Sequence, residues 1–171
     1  MSAVTIARNY AEALFDLGER SGRTAEYADL IEAVGAAIAH SPEVQAVLMS
    51  PRVPKAAKAR LLAEALQSAP REFVLFIQAV VKRGRQVLLR EIAEEHTALV
   101  DVKHNRVRAG VTLAREADPA LQEEIRARLS QALGKDVIAT FTADPSILGG
   151  TIVRIGEVPI ALGVGQLCRL D

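Results

Sequence analysis

The sequence predicts a mainly α chain: an N-terminal six-helix bundle over residues 1–105, followed by a small α+β domain over residues 106–171. Three observations carry this. Apolar residues recur at helical spacing as far as Asn105, whereas beyond it strand-like alternation appears. Half of the chain is apolar but only 4% is aromatic, with no Trp, so the core is built from Ala, Leu, Val and Ile, which suit closely packed helices. Each part is neutral by itself, with 13 basic against 13 acidic residues up to Asn105 and 8 against 8 after it.

The helices follow in order. Ile6, Tyr10, Ala13, Leu14 and Leu17 form a stripe that ends at Gly18 and Ser21-Gly22, and Tyr27, Leu30, Ile31, Val34 and Ile38 form a second. Ser41-Pro42-Glu43 is a helix start, because Ser caps free amides and Pro suits the first helical position. The short helix after it carries Val44, Val47 and Leu48 and is broken by Pro51 and Pro54. A fourth carries Leu61, Leu62, Ala65 and Leu66. Pro70 opens a fifth with Phe73, Phe76, Ile77, Val80 and Val81, which ends near Gly84. The sixth runs from about Gln86 to Lys103, with Leu88, Leu89, Ile92, Leu99 and Val102. Short helices joined by short loops imply a bundle.

Past His104-Asn105, the run from Arg106 to Leu113 alternates as a strand does. Asp118-Pro119 then caps a helix with Leu121, Ile125, Leu129 and Leu133, stopped by Gly134. Residues 137–142 form a second strand, and Thr151–Gly156, after Asp144-Pro145 and Gly149-Gly150, a third. The glycine pair has a structural reading: Gly reaches positive φ without steric cost and so makes the tight link into that strand.

Function classes are narrowed by what the chain lacks. There are 21 basic and 21 acidic residues, whereas a nucleic-acid binder usually carries a basic excess. The charge is locally uneven, with 3 basic and 7 acidic residues in 1–49 but 9 and 2 in 50–90. Those segments face each other or cover solvated faces. They also leave room for a second reading, a helical RNA-binding domain of the transcription-antitermination kind with an α+β module appended. Against it stands the absence of aromatics interleaved with the basic residues. The single Cys168 forms no internal disulfide and fits a reducing compartment. No apolar run approaches the ~20 residues needed to span a bilayer, and the N-terminus has no signal-peptide core, so a cytoplasmic chain without direct membrane insertion is expected.

No catalytic constellation emerges. There is no phosphate loop with its lysine, no nucleophile elbow, and Gly163-x-Gly165 lacks the third glycine of a dinucleotide fingerprint. His40, His96 and His104 are not at metal-ligand spacing with Cys168 or each other. Glu94 and Glu95 are helix neighbours about 100° apart and cannot act as an acid/base pair. No catalytic residue, cofactor or metal is therefore expected. Lys82-Arg83-Gly84-Arg85, the densest basic cluster, is read as a helix end where cations offset unpaired carbonyls, with an acidic-partner contact as the alternative.

Two stretches go beyond pattern. Ala7-Arg8-Asn9-Tyr10-Ala11-Glu12-Ala13-Leu14-Phe15 resembles the opening helix of bacterial F-type ATP synthase delta subunits, related to the mitochondrial oligomycin-sensitivity-conferring protein. Asp144-Pro145-Ser146-Ile147-Leu148-Gly149-Gly150, with the apolar strand ending in Ile155-Gly156, is similar to that family's most specific signature. Phe73-x-x-Phe76 with Lys82-x-x-Arg85 resembles its fifth helix and the following turn. The resemblance implies a non-catalytic connector of the peripheral stalk, held at the cytoplasmic face of the bacterial plasma membrane through its complex. Its N-terminal bundle would bind N-terminal segments of alpha subunits, and its C-terminal domain the C-terminal end of stalk subunit b. It also implies a groove between the first and fifth helices, at Tyr10, Ala13, Leu14, Phe76 and Val80, and a structural turn at Asp144, Pro145, Gly149 and Gly150. One departure stands at the end. Where the family commonly carries an Ile-Asp-x-Ser-Val-like stretch before its final helix, this chain has Ile160-Ala161-Leu162-Gly163-Val164, and no site residue is assigned there.

Overall fold

In the computed structural model of the chain, residues 2–147, 149–156 and 158–162 are described, the last segment by its backbone. The chain divides into two units after Val100.

The first unit holds helices α1 (Ala3–Ser21), α2 (Thr24–His40), α3 (Pro42–Met49), α4 (Lys55–Ala65) and α5 (Arg71–Lys82), then a 3-10 turn at Gln86–Leu88. The start of α6 (Leu89–Lys103) completes it. Helix ends follow local chemistry. The Ser41 hydroxyl accepts from the Val44 amide at 3.3 Å with Pro42 in the first turn, as the sequence predicts. α1, in contrast, runs through Gly18 and ends at Gly22, whose backbone is left-handed. Gly18 serves packing instead: a Cβ there would lie 3.0 Å from the Thr24 Cα, so its bareness lets α2 begin against α1.

The core is mainly aliphatic, as the composition implies, with two aromatic rings, Tyr27 and Phe73. Ala7, Ala11 and Leu14 of α1, Tyr27 and Ile31 of α2, Phe73, Ile77, Val80 and Val81 of α5, and Leu89 and Ile92 of α6 are fully buried. The predicted stripes are corrected at Val47, Leu61 and Val102, which are exposed. Neighbours such as Leu61 and Leu62 point about 100° apart, so a helix one layer deep buries one of the two, and Leu62 is that one.

The second unit carries β1 (Arg106–Leu113), α7 (Pro119–Leu133), β2 (Asp136–Ala143), β3 (Thr151–Ile155) and β4 (Val158–Leu162). The sheet order is β2-β1-β3-β4. β1 and β2 are parallel, Arg106 opposite Asp136 and Leu113 opposite Ala143, and α7 makes the crossover that parallel neighbours require. β1–β3 and β3–β4 are antiparallel. One face is covered: Ala109, Val111, Val137 and Val153 meet Ile125 and Leu129 of α7. The other face presents Arg108, Gly110, Thr140 and Arg154 to water, which explains the alternation in β1. Asp118 caps α7 through the Leu121 amide at 2.8 Å, and Gly134 ends it.

β4 corrects the sequence reading, which placed no strand after Gly156. Val158, Ile160 and Leu162 do alternate, but the run is five residues long and contains Pro159. An edge strand tolerates proline because one row of its backbone groups needs no ladder partner. Gly163, Val164 and Cys168, and any final helix there, lie outside the described residues.

Candidate functional site

The opening helix presents two faces. Ala7, Ala11 and Leu14 point into the core, while Ile6, Asn9, Tyr10 and Ala13, spaced three or four apart, share a neighbouring surface. The ring of Tyr10 meets that of Phe76 on α5 edge-on, with centroids 6.2 Å apart and planes at 76°. Both rings are half-buried. Beside them a hollow of about 410 Å³ opens, lined by Ile6, Asn9, Tyr10, Ala13, Arg83 and Arg85.

The five groove residues named from sequence thus separate by depth. Ala13 is exposed and lines the hollow with Tyr10, and Phe76 backs Tyr10. Leu14 and Val80 have no exposed surface and form the core beneath. Ile6, Asn9, Arg83 and Arg85 were not named for this site. The helical spacing of Ile6 and Asn9 to Tyr10 and Ala13 was the available signal, whereas the two arginines reach the hollow through a turn that spacing does not reveal. The surface has an apolar side, from Ile6, Tyr10 and Ala13, and a cationic rim, from Arg83 and Arg85.

The second unit has its own hollow, about 550 Å³, where Leu113, Leu121, Ile125 and Gly150 lie together with the charged Arg115, Glu116, Glu124 and Arg128. The turn of the signature stretch borders it. Asp144 donates its amide to the Leu113 carbonyl at 2.8 Å, and its carboxylate accepts from the Ser146 hydroxyl at 2.6 Å and the Ser146 amide at 2.9 Å. Those bonds, the hydroxyl first, hold the Asp144 carboxyl below the usual range. Pro145 sits in the turn, and Gly149 and Gly150 have φ of 125° and 95°, a region that favours glycine. A Cβ on Gly149 would meet nothing within 4 Å, so the constraint there is conformational and not spatial. Leu148 lies outside the described residues.

Among the described residues, no group of three or more His, Cys, Asp or Glu side chains could hold a metal ion. No described helix is long and apolar enough to cross a membrane. His96, which sequence spacing set aside as a ligand, is fully buried in α6 against Phe15, and its two ring nitrogens have no hydrogen-bond partner among the described residues. Burial pushes its imidazole down to about 4.

A profile described as the ATP synthase delta (OSCP) subunit matches residues 6–164, through both units. Among curated proteins, the ATP synthase subunit delta of Gemmatimonas aurantiaca is 40% identical over 154 residues, covering 90% of this chain and 83% of the relative. That of Desulfotalea psychrophila is 33% identical, covering 92% and 88%. That of Xanthomonas campestris is 32% identical, covering 99% and 95%. Among solved structures, a chain in the cryo-EM structure of the Toxoplasma gondii mitochondrial ATP synthase hexamer superposes with a TM-score of 0.73 at 18% identity, over 96% of this chain and 94% of that one. The last is a likeness of fold.

Proposed function

The chain belongs to the ATP synthase delta (OSCP) subunit family, and from that membership we propose how it works as the non-catalytic connector in the peripheral stalk of a proton-translocating F-type ATP synthase. The observation that carries this is the reach of the family match, residues 6–164, which takes in the helical unit and the sheet unit alike. A relation confined to one unit would leave the other free for a different task. The antitermination reading rested on the basic segment 50–90 alone and loses its ground, since that segment lies inside the matched span.

In this reading the first unit is a six-helix bundle whose α1–α5 surface takes the N-terminal segment of an alpha subunit. Tyr10, Ala13 and Phe76 form the contact, and Leu14 and Val80 support it from below. Small Ala13 keeps the hollow open, and the aromatic pair gives it an apolar wall. The second unit takes the C-terminal end of stalk subunit b, using the apolar surface near Leu113, Leu121 and Gly150. Asp144, Pro145, Gly149 and Gly150 set the turn that shapes that surface. The subunit is peripheral, held to the cytoplasmic face of a bacterial membrane through its complex. Transmitting torque without chemistry requires two attachment surfaces on folded units, and nothing more of this chain.

The test is calorimetric titration of the full chain with a synthetic peptide copied from the N-terminal segment of the same organism's alpha subunit. Saturable binding that orders the peptide as a helix is expected. No binding at peptide concentrations up to the millimolar range would refute the role given to the first unit.

A further inference from the structure

We propose that the helix received by the α1–α5 hollow is fixed in register by a carboxylate that it brings to Arg83 and Arg85. The inference rests on the connector reading and adds the chemistry of the partner: an amphipathic helix with Asp or Glu beside its apolar face.

These arginines are not needed by the helix end beside them. A basic cluster at a helix end is ordinarily explained by the unpaired carbonyls there. At the end of α5 another residue serves: the Lys55 ammonium, from α4, donates to the Lys82 carbonyl at 3.5 Å. The other carbonyls are met by the backbone itself. The amides of Arg83, Gly84 and Arg85 donate to Ala79, Val81 and Val80 at 3.2, 2.8 and 3.0 Å. This closure requires Gly84 at φ +72°, where a Cβ would also approach the Lys55 ammonium to 3.2 Å. The turn is therefore fixed by main-chain bonds, and the two arginine side chains on either side of Gly84 are spared for another use.

Their placement gives that use. Both are exposed, and both line the hollow with Asn9, Tyr10 and Ala13. Among the described residues neither has an ion-pair partner, whereas Arg8, Arg60 and Arg90 each lie within 4 Å of a glutamate. Two guanidiniums at the rim of an apolar-walled hollow form a positive site facing the partner's position. Guanidinium pairs well with carboxylate because its forked donors match the two oxygens. The apolar wall supplies affinity and leaves the docked helix free to slide by a turn. A carboxylate held at one end removes that freedom, which is the usual contribution of charge at an interface.

The test uses the full chain and the alpha-subunit N-terminal peptide, in its natural form and with its acidic residues changed to their amides. The double variant Arg83→Gln/Arg85→Gln is expected to bind the natural peptide about tenfold more weakly at low salt, with little difference at about 0.5 M salt, where charges are screened within roughly 4 Å. The amide peptide is expected to lose the same factor against the unaltered chain and to lose nothing further against the double variant. Equal binding of the natural and amide peptides by the unaltered chain overturns the inference, and this arm decides even if the double variant fails to fold. Additive losses in the two arms overturn it as well, since the charges would then act on different partners. If neither peptide binds the unaltered chain, the connector reading has failed first; binding that is strong but indifferent to charge leaves the groove in place and removes only the arginine contact.

Discussion

A histidine with no exposed surface and, among the described residues, no partner for either ring nitrogen is tolerated only while it is neutral. Burial takes His96 down to about 4, below its unfolded value, so the folded state binds fewer protons than the unfolded one. Stability from this residue is therefore complete above about pH 6.5 and is lost as pH falls towards 4. Between about pH 7 and pH 5 the loss is on the order of 2 kcal/mol, and urea unfolding of the chain beside a His96→Leu variant measures it. The variant is expected to show a flatter profile; equal slopes would place the titration elsewhere. Ala13 is the residue-scale test of the groove. Ala13→Phe adds a ring to an exposed helical position, so α1 stays helical while the hollow fills. Binding of the alpha-subunit peptide is expected to weaken at least tenfold, about 1.4 kcal/mol. A folded variant that binds as the parent does would put the groove elsewhere.

At the scale of elements, the link between β2 and β3 needs backbone freedom at two adjacent glycines. Gly149 and Gly150 hold φ values that side chains rarely adopt, so Gly149→Ala/Gly150→Ala is expected to destabilise the sheet unit by roughly 1–3 kcal/mol per strained residue. Amide exchange should quicken in β3 and remain unchanged in α1 to α5; protection of β3 equal to the parent's would contradict the strain argument. These elements also mark what the sequence made legible. Caps at Ser41 and Asp118 were readable because one side chain and one proline act within a single turn. β1, α7 and β3 were readable because the sheet has one covered face, which imposes alternation. β4 was missed because five residues with a proline match no strand signal in isolation, and its place is given by pairing with β3. Gly18 was misread because a packing glycine and a terminating glycine look alike until the neighbouring helix is known. At the groove, Tyr10, Ala13 and Phe76 came from resemblance and pattern, whereas Arg83 and Arg85 depend on how the turn after α5 folds back, which no local period encodes.

For the whole molecule, the division after Val100 falls inside α6, and each side has its own apolar cluster. A connector gains from this arrangement, because one attachment can form without the other. Limited proteolysis is expected to cut near the His104-Asn105 turn and release a folded helical fragment. A digest that yields no stable helical fragment would mean that the units depend on each other. A connector must hold two partners at once. The most direct measurement immobilises the C-terminal fragment of stalk subunit b, captures the full chain on it, and then titrates the alpha-subunit N-terminal peptide. The peptide is expected to bind the captured chain with the affinity it shows for the free chain, and the chain is expected to stay on the stalk fragment throughout. Release of the chain by the peptide, or loss of peptide binding once the stalk fragment is engaged, would contradict the connector role.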